Sequence, residues 1–334
     1  MPPTRILILS DGRPGHFNLA EGIAAAIERI RPAAQTVRCD VRRGRWPGAV
    51  LAALTRSRLP PAAMLSRIYG IDEAQLPPCD TIVSAGAETL AASIWLSRAR
   101  RVPNVFYGSL RLFDPLDFTL VLTSYARNAA RPRHALFLKP SRLDPDLVPP
   151  RVHVTTPRAL ALLIGGDAGP IRYSSEDWRS LLDLTRAVAR DGTTRWHIAN
   201  SRRTPDHVSD ALAAEASLPG SSIAQFLDVR TAGAGTLPHL LAQCSAVLCT
   251  ADSSSMISEC VWARRPTLAV APAMCPFTAD EAEYRNWLAT SGWCAQVTIS
   301  SVTQASLDRE LAALRPLAHN PQQQLADLLE RHLP

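Results

Sequence analysis

Lysine is almost missing from this chain of 334 residues: Lys139 stands alone among 36 Lys+Arg. Positive charge is therefore arginine, and with abundant alanine and 27 prolines it carries the mark of a GC-rich coding bias. The formal net charge of +6 then has a compositional source, and no nucleic-acid partner is expected from it. Long hydrophobic runs are also lacking. None nears the ~20 residues of a bilayer crossing. The apolar start Arg5–Leu9 is far shorter than the core of a signal peptide, so a cytoplasmic location is expected. The seven cysteines are odd in number, scattered and without a C-x-x-C pair, which argues against a disulfide framework or a zinc site. Most sit in apolar runs, as reduced core residues do.

What the chain does have is alternation. "RILIL", "TVRCDV", "DTIVSAG", "NVFYG", "FTLVLT" and "HALFLK" read as strands, with Ala- and Leu-rich helical stretches between several of them. That order predicts a parallel sheet wrapped by helices. Five prolines between Lys139 and Pro157 break the pattern and predict a linker, with a domain boundary near Pro150. The alternation then restarts with "RALALLIGG", "TRWHIAN", "SIAQFLD", "SAVLCT" and "PTLAVA". Two α/β domains are expected, over 1–150 and 151–318, since one hydrophobic core rarely serves so long a chain. From Pro321 to Leu333 a last amphipathic helix carries Leu325, Leu328, Leu329 and Leu333 on one face.

Four polar loops follow predicted strands, and in a parallel sheet such loops gather at one edge. "SDGRPGH" brings Asp11 and His16 to a strand end and helix start; His16 is the side chain suited to proton transfer near neutrality, and either residue can take a proton. "GGDAG" offers Gly165 and Gly166 for close backbone approach and Asp167 to orient a hydroxyl or an amide, although a tight turn explains the glycines equally. "NSRRTP" places Ser201, Arg202 and Arg203 ahead of a helix beginning near Pro205, as an anion site or a solvated basic turn. In "TADSSSMISE", Ser253, Ser254 and Ser255 open a helix whose amides and hydroxyls suit a diphosphate. Glu259 lies four residues beyond Ser255, on the same face, with reach toward paired hydroxyls such as those of a ribose.

The serines, the Ser-Glu pair and the Ala-Arg-Arg-Pro turn resemble the donor-nucleotide helix of GT-B glycosyltransferases of the MurG type. In order, "LSDGRPGHFN", "LIGGDAG", "SRRTP" and "TADSSSMISE" resemble the mitochondrial fission Elm-like family, largely bacterial and regarded as GT-B nucleotide-sugar transferases. One segment departs: "YGSLRLFDP" stands where that family usually has Gln-Asp-Pro, so acceptor contacts transfer least. The resemblance implies two Rossmann-like domains facing across a cleft, with the C-terminal helix, residues 319–334, packing back on the first. It implies Glu259 on the donor ribose, Ser253 to Ser255 and Gly165-Gly166 near the diphosphate, and Arg202 and Arg203 offsetting its charge. It implies further a metal-independent hexosyl transfer from a nucleotide sugar, UDP-linked, with no other cofactor, to a sugar or lipid-linked envelope acceptor. A GT-B-like epimerase and a non-catalytic nucleotide-binding scaffold are the alternatives.

The stretch "RRGRWPGAVLAALTRSRLPPAAML" admits two readings. Its arginines and apolar residues can hold an anionic membrane surface, on the inner face of the cytoplasmic membrane, or it is an ordinary amphipathic region packed on the sheet.

Overall fold

The computed structural model describes residues 4–148, 158–190, 192–232 and 236–334. The chain divides into two compact units, Met1–Arg142 with Pro321–Pro334, and Leu143–Asn320. The division falls at Arg142, ahead of the expected Pro150, which itself lies outside the described residues. The reason is local: Trp262 Nε1 donates to Leu143 O at 2.7 Å and Arg265 Nη2 to Val148 O at 3.3 Å, so this stretch belongs to the second unit.

In the first unit the order is β1 (Arg5–Ser10), α1 (Pro14–Ile30), β2 (Gln35–Asp40), α2 (Gly48–Thr55), α3 (Pro61–Tyr69), β3 (Thr81–Ala85), α4 (Leu90–Arg100), β4 (Asn104–Tyr107), β5 (Leu120–Thr123), α5 (Ala126–Ala129) and β6 (His134–Leu136). The six strands are parallel, in the order β2-β1-β3-β4-β5-β6. β1, β3, β4 and β5 bury nearly every residue, which is why they read as continuous apolar runs. Leu51, Ala52, Met64 and Leu65 turn one side of α2 and α3 into the core, so the packed reading of the arginine-rich stretch holds for that side.

The second unit runs β7 (Arg158–Leu163), α6 (Ser175–Ala189), β8 (Thr194–Ala199), α7 (Asp206–Ala216), β9 (Ile223–Leu227), α8 (Thr236–Gln243), β10 (Ala246–Thr250), α9 (Ser254–Trp262), β11 (Thr267–Ala271), α10 (Ala279–Thr290), β12 (Cys294–Thr298) and α11 (Gln304–Ala313). Its parallel sheet has the order β12-β11-β10-β7-β8-β9. β12 and the helices on either side of it were not among the expected elements. Cys294–Thr298 is an edge strand with only its first residue fully buried, so it lacks an apolar run. Both units are Rossmann-like.

The last helix, α12 (Pro321–Glu330), belongs to the first unit and packs on α1. Leu325, Ala326 and Leu329 are buried, and Arg29 Nε donates to Gln323 Oε1 at 2.7 Å. The helix stops at Glu330, so the buried Leu333 lies beyond it rather than on its stripe.

Candidate functional site

Each sheet reverses direction once. In the first unit, β1 leads outward to β2 and β3 leads the opposite way, so the crevice opens where β1 and β3 end. The loop after β1 is short. Gly12 takes a left-handed φ of 79°, and α1 begins at Pro14, whose fixed φ suits a first helical position. His16 is therefore in the first turn of α1 rather than in a loop. Its Nδ1 lies 2.7 Å from Asp11 Oδ2, and the Asp11 side chain is 1% exposed against 32% for His16. Asp11 is also fixed by Arg13 N, which donates to its Oδ1 at 3.1 Å. A carboxylate in that position holds the imidazole with a proton on Nδ1 and leaves Nε2 as the acceptor.

Gly86, at the end of β3, completes the arrangement. Its φ is +90°, and a Cβ there would stand 2.2 Å from His16 Nδ1 and 2.9 Å from Asp11 Oδ2. The dyad thus occupies the space that a side chain would take. Glu88, another carboxylate in this loop, is held by Arg43 Nε at 2.7 Å.

In the second unit the reversal lies between β7 and β10. The loops after β7, β8 and β10 meet there, and the residue that joins them is Asp252. Its side chain is 0% exposed and accepts from Gly166 N at 3.2 Å, Tyr173 Oη at 3.1 Å and Arg203 Nη2 at 2.5 Å. Burial, with the Asp252 charge beside it, raises the Tyr173 phenol well above its usual range. Thr250 Oγ1 accepts from Gly165 N at 2.7 Å, and Thr204 Oγ1 donates to Gly165 O at 2.7 Å.

The glycines have a protein reason for being glycines. A Cβ on Gly165 would meet the Asp252 carboxylate at 2.1 Å, and one on Gly166 would meet Arg203 O at 2.0 Å. Removing Asp252 strands one buried amide and one buried phenol, with a half-exposed arginine beside them. Asp252→Ala is expected to cost about 2–3 kcal/mol of stability, read by thermal or denaturant melting. An unchanged melt would mean that the three loops are held independently of it.

The other expected donor residues separate into two groups. Asp167 is half-exposed and accepts from Tyr173 N at 3.0 Å, closing its own turn. Ser201 Oγ accepts from Arg203 N at 3.2 Å, and Arg203 is committed to Asp252. Arg202 is exposed and makes no ion pair among the described residues. Ser253 caps α9, accepting from Met256 N at 3.4 Å, and lies 3.4 Å from Ser255 Oγ; Ser254 O accepts from Ser258 Oγ at 2.7 Å. Ser255 is exposed in the first turn.

Glu259 is different: it is half-buried, and among the described residues no hydrogen bond or ion pair reaches its carboxyl. Burial alone pushes its pKa up to about 7. A carboxyl left in that condition has capacity for hydroxyl donors.

Two arginines of functional-looking motifs prove structural. Arg265 is buried and donates to Leu241 O, Cys244 O, Ala263 O and Val148 O; Arg264, with a φ of 58°, reaches Leu317 O and Ala318 O. Arg285, which the sequence did not single out, donates from Nη2 to Ala251 O at 2.9 Å and pairs through Nε with Glu281 at 2.6 Å. Its Nη1 is buried without a hydrogen-bond partner among the described residues. The chain has one Asp-x-Asp spacing, Asp144 and Asp146, and both carboxylates accept from Asn320 Nδ2, at 3.1 and 2.7 Å.

The sequence matches the family model described as Mitochondrial fission ELM1 over residues 137–309, just over half of the chain. No curated protein matches it. Three similar solved structures have sequence identities that support the fold alone. MurG of Acinetobacter baumannii is 12% identical with a TM-score of 0.53, covering 98% of this chain and 100% of that one. The glycotransferase of kitacinnamycin is 15% identical with a TM-score of 0.51, covering 100% of both. UDP-GlcNAc 2-epimerase from Neisseria meningitidis, bound to UDP-GlcNAc, is 11% identical with a TM-score of 0.52, covering 98% and 99%. The fold is that of GT-B enzymes.

Proposed function

The chain belongs to the mitochondrial fission ELM1 family, and from that premise we propose that it is a glycosyltransferase moving a sugar from a UDP-linked donor to an envelope glycolipid or polysaccharide precursor on the cytoplasmic side of the membrane. The observation that carries this reading is Glu259: a half-buried carboxyl without a partner, one turn into the helix that opens at the β7–β10 reversal. Hydroxyls of a ribose are the partners it lacks. The first-turn amides of α9 and the unpaired Arg202 then face a diphosphate and stabilise it as it leaves, a task that needs no resident metal. In the first unit, His16 takes the proton of the acceptor hydroxyl through Nε2, while Asp11 holds the ring and stabilises the imidazolium. The neighbours support a nucleotide-sugar partner through their bound ligands, UDP-GlcNAc in the Neisseria epimerase and UDP in the Staphylococcus aureus MnaA structure.

A screen of nucleoside diphosphates by thermal shift tests the donor half. One of them at about a hundredfold over its Kd should stabilise the protein by about 2.7 kcal/mol, and at the same concentration the gain should shrink to about 0.3–1.4 kcal/mol in Glu259→Ala. No response to any nucleoside diphosphate would sink the reading. Gly86→Ala tests the other half: with a Cβ pressed on His16 Nδ1, kcat should fall by ~10²-fold while nucleotide affinity stays unchanged. Wild-type turnover in that variant would remove the Asp11–His16 pair from the chemistry.

A further inference from the structure

Five of the large apolar side chains exposed in the first unit, Trp46, Val50, Leu59, Leu112 and Leu116, lie on two segments, 46–59 and 112–116. The segments are tied together. Arg56 Nη2 donates to Leu112 O at 2.8 Å, and Arg98 reaches both Thr55 O and Asp117 Oδ1. Within the second segment Leu110 and Phe113 are buried as anchors, Arg111 takes a left-handed φ of 54°, and Leu112 and Leu116 stand 58% and 67% exposed. Two leucines so exposed, on a loop anchored at both sides, are held outward by the fold.

The charge around them has one sign. From Val41 to Ile71 the chain has six arginines and neither Asp nor Glu. Arg42, Arg45, Arg58, Arg67 and Arg111 are exposed and make no ion pair among the described residues. Glu88 is paired with Arg43 and Asp117 with Arg98, while Asp114 accepts from Leu116 N at 2.9 Å and keeps its charge. Among the described residues these five arginines therefore outnumber the one carboxylate of the two segments that has no ion pair, Asp114.

We propose that this face docks on an anionic lipid bilayer, with Leu112 and Leu116 entering the acyl boundary, Trp46 at the headgroup level and the free arginines against lipid phosphates. Exposed apolar side chains in and beside an arginine-rich segment match the layering of a bilayer surface. They match a nucleic acid poorly, because exposed leucines give bases nothing to stack on. The inference deepens the reading of a membrane-linked acceptor and rests on it for its purpose, but lipid binding is measurable without turnover.

Flotation with vesicles decides it. The wild type should float with phosphatidylcholine vesicles containing phosphatidylglycerol, remain in solution with phosphatidylcholine alone, and lose most binding at about 0.5 M salt. Arg42→Gln/Arg45→Gln/Arg58→Gln should weaken binding about fivefold per arginine, on the order of 100-fold together. Leu112→Ser/Leu116→Ser should weaken it about tenfold or more and remove the part that survives salt. Both variants should melt as the wild type does and keep its nucleoside diphosphate affinity, so loss of lipid binding is separable from failure of the donor site. Equal binding by all three proteins, or no preference of the wild type for anionic vesicles, overturns the proposal. So does self-association of the wild type by light scattering that the leucine variant loses, since a second copy would then cover the face.

Discussion

His16→Ala is expected to lower kcat by about 10²–10⁴-fold while donor affinity stays near that of the wild type. The size follows from what the residue does: with Nδ1 held 2.7 Å from a carboxylate whose side chain is 1% exposed, the ring has one orientation and one available acceptor, Nε2. Alanine removes that acceptor, and Glu88, the carboxylate that follows β3, is tied to Arg43. Asp11→Asn should retain the fold and lose much of the activity, because an amide stabilises an imidazolium less well and admits the wrong tautomer. Steady-state kinetics with separate donor binding measurements distinguish the outcomes. Weaker donor binding with kcat intact in His16→Ala would assign the histidine to the nucleotide sugar instead of to proton transfer.

Glu259→Ala is expected to weaken nucleoside diphosphate binding about 10- to 150-fold, roughly 1.5–3 kcal/mol, the range for hydrogen bonds to a charged group. The carboxyl's raised pKa adds a pH signature. With a value near 7 in the free protein, Glu259 is largely neutral at pH 6 and ionised at pH 8. Hydroxyl donors favour the ionised form, so wild-type affinity should rise as pH passes upward through about 7, and Glu259→Gln should lose that rise. Stability moves the other way. A carboxyl whose folded pKa lies above its unfolded value contributes stability that is complete below about pH 4.5 and is lost as pH rises through 7. Glu259→Gln should therefore gain on the wild type in melting experiments as pH is raised from 5 to 8. Calorimetric titration across that interval is the measurement; a flat wild-type profile would remove Glu259 from the ribose.

The fold was readable because most strands are buried on both faces and stand out as apolar runs between polar loops. The strand β12 is half-open and carries no such run, and for that reason escaped. Asp11 and His16 lie five residues apart, so their pairing is local and the loop could suggest it. Asp252 is a different matter. Its partners are 49, 79 and 86 positions away in the chain, and a single aspartate before three serines gives no hint of them. The same separation hides what Gly165 and Gly166 do within the protein, where their small size makes room for Asp252 and Arg203. Burial made Glu259 more informative than its spacing had: the sequence put it on the face of Ser255, but only the structure leaves its carboxyl without a partner among the described residues.

The most direct test of the account is to incubate the purified protein with a panel of nucleotide sugars, with and without an extract of envelope glycolipids, and to follow both free nucleoside diphosphate and the labelled sugar. The account predicts that label enters the lipid fraction, that one nucleoside diphosphate is released per sugar moved, and that neither happens at a comparable rate without acceptor. Epimerised nucleotide sugar formed in the absence of acceptor, or no turnover of any donor by a protein that melts cooperatively, would contradict it.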